Sequence, residues 1–140
     1  MSNPIVVMPD PLLAVQQYLA SKTEITTLIA AAKIVTEIPF TSPSYPYVVL
    51  QWGGGLGIRP GIDEPSIQVD VIGKDKGDKA LVGKISRTIR AVIWAIANDV
   101  VVAGTLVSGS DEMPPSWMPD TINVPPLPRY VARYRILLHP

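Results

Sequence analysis

The chain predicts an α+β domain: a mostly antiparallel sheet with one long and one or two short helices packed on one face. Two patterns carry that prediction. Residues 66–73 alternate, with Ile67, Val69 and Val71 on one side and Gln68 and Asp70 on the other, the period of a half-buried antiparallel strand. Residues 78–97 instead set Leu81, Ile85, Ile89, Val92, Ile93 and Ile96 in one helical stripe; about 20 residues of helix span ~30 Å, most of a small domain. The order of elements adds a third reason, because helices and strands come in runs instead of strict alternation.

Asp10-Pro11 opens the first helix, residues 11–21. The aspartate can accept from free amide groups, and proline at the first position sacrifices no hydrogen bond. Leu12, Val15 and Leu19 follow at helical spacing. Thr23 is placed to cap a second short turn running through residues 28–32, and residues 33–37 read as a short strand closed by Pro39. A polar loop over 41–46 leads into residues 47–52, β-branched and aromatic, hence a strand. Residues 53–57 and 59–61 are turn-rich, so the two strands form a hairpin with a long tip.

In the long helix Lys79, Lys84, Arg87 and Arg90 lie mostly off the apolar stripe, and Trp94 is expected in the core. Residues 100–107 are β-rich and broken at Gly104. Residues 109–128 hold six prolines, which restricts them to loop or edge-like structure. Residues 130–138 close the chain as a strand, with Tyr130, Ala132, Tyr134, Ile136 and Leu138 on one face and Val131, Arg133, Arg135 and Leu137 on the other.

A length of 140 residues fits one domain, residues 1–140, with an apolar arm at 1–9 and the Pro-rich loop at 109–128. Charged residues are 17%, against about 25% in an average domain. Twelve Lys+Arg balance twelve Asp+Glu. With no cationic excess to displace counterions, sequence-specific nucleic-acid binding is disfavoured, although a local basic stripe stays open. The absence of cysteine removes disulfides, thiolate nucleophiles and Cys-based metal sites. The N-terminus has no basic region followed by a long apolar one, and no apolar run approaches the ~20 residues of a membrane span. The expectation is a soluble chain made in a cytoplasm, with no membrane partner.

The chemical inventory is thin. The one histidine, His139, adjoins Pro140 at the chain end, so neither a Ser-His-Asp arrangement nor a histidine metal site is indicated. Asp63, Glu64, Asp75, Asp78, Asp111 and Glu112 fall in expected loops, where acids are ordinarily solvated. The glycines of Gly53-Gly54-Gly55-Leu56-Gly57 miss the dinucleotide fingerprint: the third required position is Ile58 or Pro60. Gly73-Lys74 and Gly83-Lys84 lack the Ser/Thr of a phosphate loop, since Asp75 and Ile85 follow. No enzyme, cofactor or metal is predicted.

Candidate contact residues remain. Trp117 and Met118, in a segment with little to bury them, either anchor an interface or pack within their loop. The arm residues Ile5, Val6 and Val7 either fold back or add a strand to a neighbour's sheet edge. Arg129, Arg133 and Arg135 line one face of the last strand, for salt links to a neighbouring subunit or for solvation, and Arg59 stands at the hairpin tip.

An Asp-Pro-Leu-Leu helix start, Glu37-Ile38-Pro39, Tyr45-Pro46-Tyr47-Val48-Val49, the strand from Ile67 to Gly73 running into a long helix, and Arg133-Tyr134-Arg135-Ile136-Leu137 occur in an order and spacing that resembles the tail completion, or tail terminator, proteins of long-tailed bacteriophages. Residues 109–128 are longer and richer in proline than that pattern. The resemblance implies a small α+β domain without cofactor or catalytic residue that closes into a hexameric ring. Such a ring caps the tail tube protein, ends tail elongation and meets a head-completion or connector protein. The arm, the 53–61 tip and the Pro-rich loop would supply head-to-tail contacts. Asp63, Glu64 and Asp70 would face a lumen through which DNA passes. A head-side connector and a small non-enzymatic binding module are the alternative readings.

Overall fold

The order of strands in the sheet decides where every candidate residue ends up. The computed structural model describes residue 5 and residues 7–59, 62–99 and 106–139. Five strands, β1 (Ile34–Val35), β2 (Tyr47–Arg59), β3 (Ile62–Ile72), β4 (Leu106–Trp117) and β5 (Arg129–Leu138), form one sheet in the order β1-β2-β3-β5-β4. Only β1 and β2 run parallel; the other neighbours are antiparallel. Helices α1 (Pro11–Ala20), α2 (Thr23–Thr26) and α3 (Lys79–Trp94) cover one face, as predicted.

Helix α1 starts where the Asp-Pro pair sets it: Asp10 Oδ1 accepts from the amides of Leu12 (3.0 Å) and Leu13 (3.4 Å). Its inner face buries Val15, Tyr18 and Leu19. Thr23 is the first residue of α2 instead of its cap, and no side chain caps that helix. The chain turns at Ser21 and Lys22 directly off α1, so helical geometry resumes one residue earlier than expected. Only two residues of the expected 33–37 strand pair. Lys33 belongs to a 3-10 turn, Ala31–Lys33, and the pairing partners are Val48 and Val49 alone.

Residues 53–59 are strand instead of a long tip. The β2–β3 ladder continues to Arg59 opposite Ile62, with a register shift between Trp52 and Gly55. Gly54 sits inside that shift at φ 90°, a left-handed value that a side chain would resist.

Helix α3 runs between two 3-10 turns, Lys76–Asp78 and Ala95–Asn98. Ile85, Ile89 and Ile93 are fully buried along its inner face, and each contributes about 1.5–3 kcal/mol by leaving water. Val82, not Leu81, fills the first turn of the stripe; Leu81 is half-buried. Trp94 is not in the core: it is 49% exposed. Its Nε1 donates to Asp111 Oδ1 at 3.0 Å, and the Arg90 guanidinium lies 4.3 Å from the ring. Arg90 also grips Asp111 Oδ2 at 2.6 Å, so helix and edge strand are tied by one carboxylate. Position 94 falls outside the apolar stripe and on the side of Arg87 and Arg90, so the expectation of a core tryptophan rested on residue type and not on helical phase.

The Pro-rich stretch divides. Residues 109–117 belong to β4, paired with β5, so they are strand and not loop. The prolines are tolerated for a physical reason. β4 is an edge strand, and Pro114 and Pro115 fall in a register shift between Met113 and Ser116, where no ladder bond is asked of them. The expected break at Gly104 lies outside the described residues.

The sheet's second face is not uniformly polar. Tyr47, Val49 and Ile72 form a small apolar cluster there, covered by Val35, Ile38, Tyr45 and Leu127. Leu127 comes from the Pro-rich connection, which is therefore held down on this face.

Candidate assembly surfaces

Next to that cluster, the helix-free face carries the arginine row of β5. Alternation along the strand puts Arg129, Arg133 and Arg135 on the same side, away from the helices. Antiparallel register sets Gln68 opposite Arg133 and Ile72 opposite Arg129. The row was expected to bond a neighbouring subunit or water; it is engaged within the chain. Arg135 lies between Glu64 (3.7 Å) and Glu112 (3.6 Å), and Arg129 lies 3.9 Å from Asp70. Arg133 Nε donates to Gln68 Oε1 at 3.3 Å, and Gln68 Nε2 donates to Asp70 Oδ1 at 3.0 Å. The partly exposed pairs of Arg135 with Glu64 and Glu112 are worth at most about 1 kcal/mol each, so they order the face more than they stabilise it.

Asp70, expected to face a lumen, is only 3% exposed and is removed from the accessible acids. The pairing of β3 with both β2 and β5 encloses it. Burial pushes its carboxyl above the usual aspartate range, while the Gln68 bond and the Arg129 charge pull it partly back. The folded value therefore lies above the unfolded one. The native state takes up a proton first as pH falls, so Asp70 contributes least at neutral pH and more on acidification towards the ordinary aspartate value. Asp70→Asn should accordingly leave stability at neutral pH equal or raised, and should lose part of the gain that wild type shows on mild acidification. Thermal melts at the two pH values read this directly; a strongly destabilised variant at neutral pH would refute it.

Met118 is brought to the same face as Arg129 and Arg133, whereas Trp117, paired with Tyr130, lies on the helix side of the sheet. Arg129 Nε donates to the Met118 carbonyl at 2.8 Å. Gln68, Glu112, Met113, Met118, Arg129, Val131 and Arg133 line a shallow concavity of about 340 Å³. Trp117 packs edge-on against Tyr130, with centroids 5.3 Å apart, and Lys79 Nζ stands 4.5 Å over its ring. It is thus packed locally on one side and 41% exposed on the other. The remaining candidates lie elsewhere. Ile5 and Val7 are almost fully exposed, and Val6 lies outside the described residues. Asp63 is half-exposed at the start of β3; Arg59 ends β2, with its side chain outside the described set.

Sequence reasoning missed the best-presented apolar pair. Ile122 (92% exposed) and Val124 (94% exposed) project from the Pro-rich loop. The loop is shaped by Asp120. Its backbone pairs with Leu127 in both directions, its Oδ1 accepts from the Ile122 amide at 3.1 Å, and its Oδ2 accepts from Asn123 at 3.0 Å. The signal was an aspartate two residues before an isolated aliphatic, an Asx turn. Phe40, 96% exposed, was likewise passed over. Among the described residues no three His, Cys, Asp or Glu side chains are grouped to hold a metal ion, and no helix is long and apolar enough to cross a membrane.

No family model and no curated protein matches the sequence. The fold, however, is similar to that of one chain in a solved structure described as the virion of a native gene transfer agent particle. The TM-score is 0.64 over 93% of this chain and 95% of that one, at 15% identity.

Proposed function

We propose that this chain is a structural subunit of a phage-like virion, and within it the subunit that closes the head-proximal end of the tail tube as a ring. The observation that carries the reading is the likeness of fold to a virion chain across nearly the full length of both proteins. The order of sequence motifs supplies the finer assignment, tail terminator, and with it the hexamer, the tail tube protein below and a head-completion or connector protein above. The role requires no catalysis and no cofactor.

A ring built from head-to-tail contacts needs two different patches on each subunit that fit one another. The arm bearing Ile5 and Val7 and the loop bearing Ile122 and Val124 are the exposed apolar segments suited to those contacts. Asp63, half-exposed at the start of β3, is the acid left to face a lumen, where its charge would keep DNA from sticking, since Glu64 pairs with Arg135.

The deciding measurement is the absolute mass of the purified protein by light scattering, alone and with polymerised tail tube, together with negative-stain images. A six-fold ring, free or at tube ends, is expected. A monomer that ignores tubes but binds a portal ring would move the protein to the head side of the neck. Deleting residues 1–7 is expected to weaken assembly and to leave the melt unchanged, because among the described residues of the arm Ile5 and Val7 are exposed and Met8 is the first packed against the core. An unchanged oligomer would remove the arm from the interface.

A further inference from the structure

The chain is neutral as a whole but not locally. Lys74, Lys76, Lys79, Lys84 and Arg87, five of its twelve cations, stand within 14 residues against only Asp75 and Asp78. Both of those acids are used by the backbone: Asp75 Oδ1 accepts from the Gly77 amide at 2.8 Å, and Asp78 Oδ2 from the Lys74 amide at 2.7 Å. Ion pairs among the described residues involve Lys22, Arg90, Arg129 and Arg135. None involves these five.

Three of them frame a concavity of about 580 Å³, lined by Lys76, Gly77, Lys79, Ala80, Gly83, Arg87 and Tyr130. Along a helix, positions 76, 79/80, 83 and 87 recur every three to four residues and so share a face. On the helical surface between the cations stand only Gly77, Ala80 and Gly83, and the ring of Tyr130 closes one side. A Cβ added at Gly83 would come within 3.2 Å of Arg87 Nη1 and 3.4 Å of Tyr130 Cε2, so the glycine lets the guanidinium lie close to the helix.

We infer that this stripe, Lys76, Lys79 and Arg87 across the small-residue floor of α3, is a contact for the phosphate backbone of duplex DNA, independent of base sequence. The partner follows from what the stripe contains and lacks. Exposed cations that take part in no ion pair among the described residues suit a row of phosphates, which is bound electrostatically. The nearest aromatic rings, Tyr130 and Trp117, pack edge-on against each other with centroids 5.3 Å apart, and Lys79 Nζ lies over the Trp117 ring, so charge and not a free apolar anchor dominates this surface. The neutrality of the whole chain disfavours base-specific binding, not this local contact. The inference does not depend on the ring reading.

The test uses the full chain and a fluorescent DNA duplex in two unrelated sequences, read by anisotropy at several salt concentrations. Both duplexes should bind equally at low salt. Three phosphate contacts predict that log K falls with log salt at a slope of about −2.7. The variant Lys76→Gln/Lys79→Gln/Arg87→Gln should bind at least about tenfold more weakly, with a much flatter slope. Lys33→Gln, on another surface, should match wild type. Should the triple variant melt early, Lys76→Glu alone, at a residue without hydrogen bond or ion pair among those described, reads the same contact. No binding at low salt would overturn the inference, as would a triple variant that binds like wild type. Displacement of the duplex by a lower concentration of polyglutamate, matched in charge, would assign the stripe to an acidic protein instead.

Discussion

Replacing Ile122 and Val124 together with aspartate is expected, on the proposed reading, to weaken association with tail tubes by about a hundredfold and to leave the isolated fold unchanged. The two effects separate because the side chains do nothing for the monomer: both are more than nine-tenths exposed. Surface changes of this kind move stability by no more than about 0.5 kcal/mol. In an interface, burial of each aliphatic is worth about 1.4 kcal/mol or more, a factor of ten apiece. The backbone that presents them is untouched, because Asp120 and Leu127 hold the loop by their own hydrogen bonds. Sedimentation with polymerised tubes gives the association, and a thermal melt gives the fold. Wild-type binding by the double variant would exclude this loop from the contact.

Gly109→Ala should cost the fold about 1–3 kcal/mol, although it adds one methyl group. Gly109 sits on β4 opposite Ile136, beneath the last turn of α3. A Cβ there would come within 2.5 Å of Ile93 Cγ2 and 2.8 Å of the Ile93 carbonyl oxygen. The methyl could be moved aside by a change of rotamer; the carbonyl is part of the helix backbone and cannot. Relief requires α3 to lift from the edge strand, which would also stretch the Arg90–Asp111 tie. The melting temperature should fall by several degrees, about 2–8 °C for a domain of this size. Ser108→Ala, a neighbour in the same strand, should not reproduce the drop. A Gly109→Ala protein as stable as wild type would show that α3 and β4 are packed more loosely than described.

Much of the architecture was legible because it rests on periodicity. The two-residue alternation of Ile67, Val69 and Val71 and of Ala132, Tyr134, Ile136 and Leu138 placed β3 and β5 and chose their buried face correctly. The stripe of Ile85, Ile89, Val92, Ile93 and Ile96 placed α3, and Asp10-Pro11 fixed the start of α1. Glycine and proline were over-read as breaks. Gly53, Gly54 and Gly55 lie in a continuous hairpin, and Pro114 and Pro115 in an edge strand, because a register shift absorbs what the backbone cannot supply to a regular ladder.

Local sequence thus determined most of the helices and strands and which side of each faces the core. Tertiary structure alone decided the surface. Strand order put β5 between β3 and β4, so the arginine row met Glu64, Asp70 and Glu112 from both neighbours instead of remaining unpaired. The same enclosure buried Asp70, and a carboxylate on β4, Asp111, holds Trp94 on the outer side of α3. These are contacts between residues far apart in the chain, set by register and not by spacing. The cations from Lys74 to Arg87 were visible from the start, but that no ion pair among the described residues engages them emerged only once the acids had been placed.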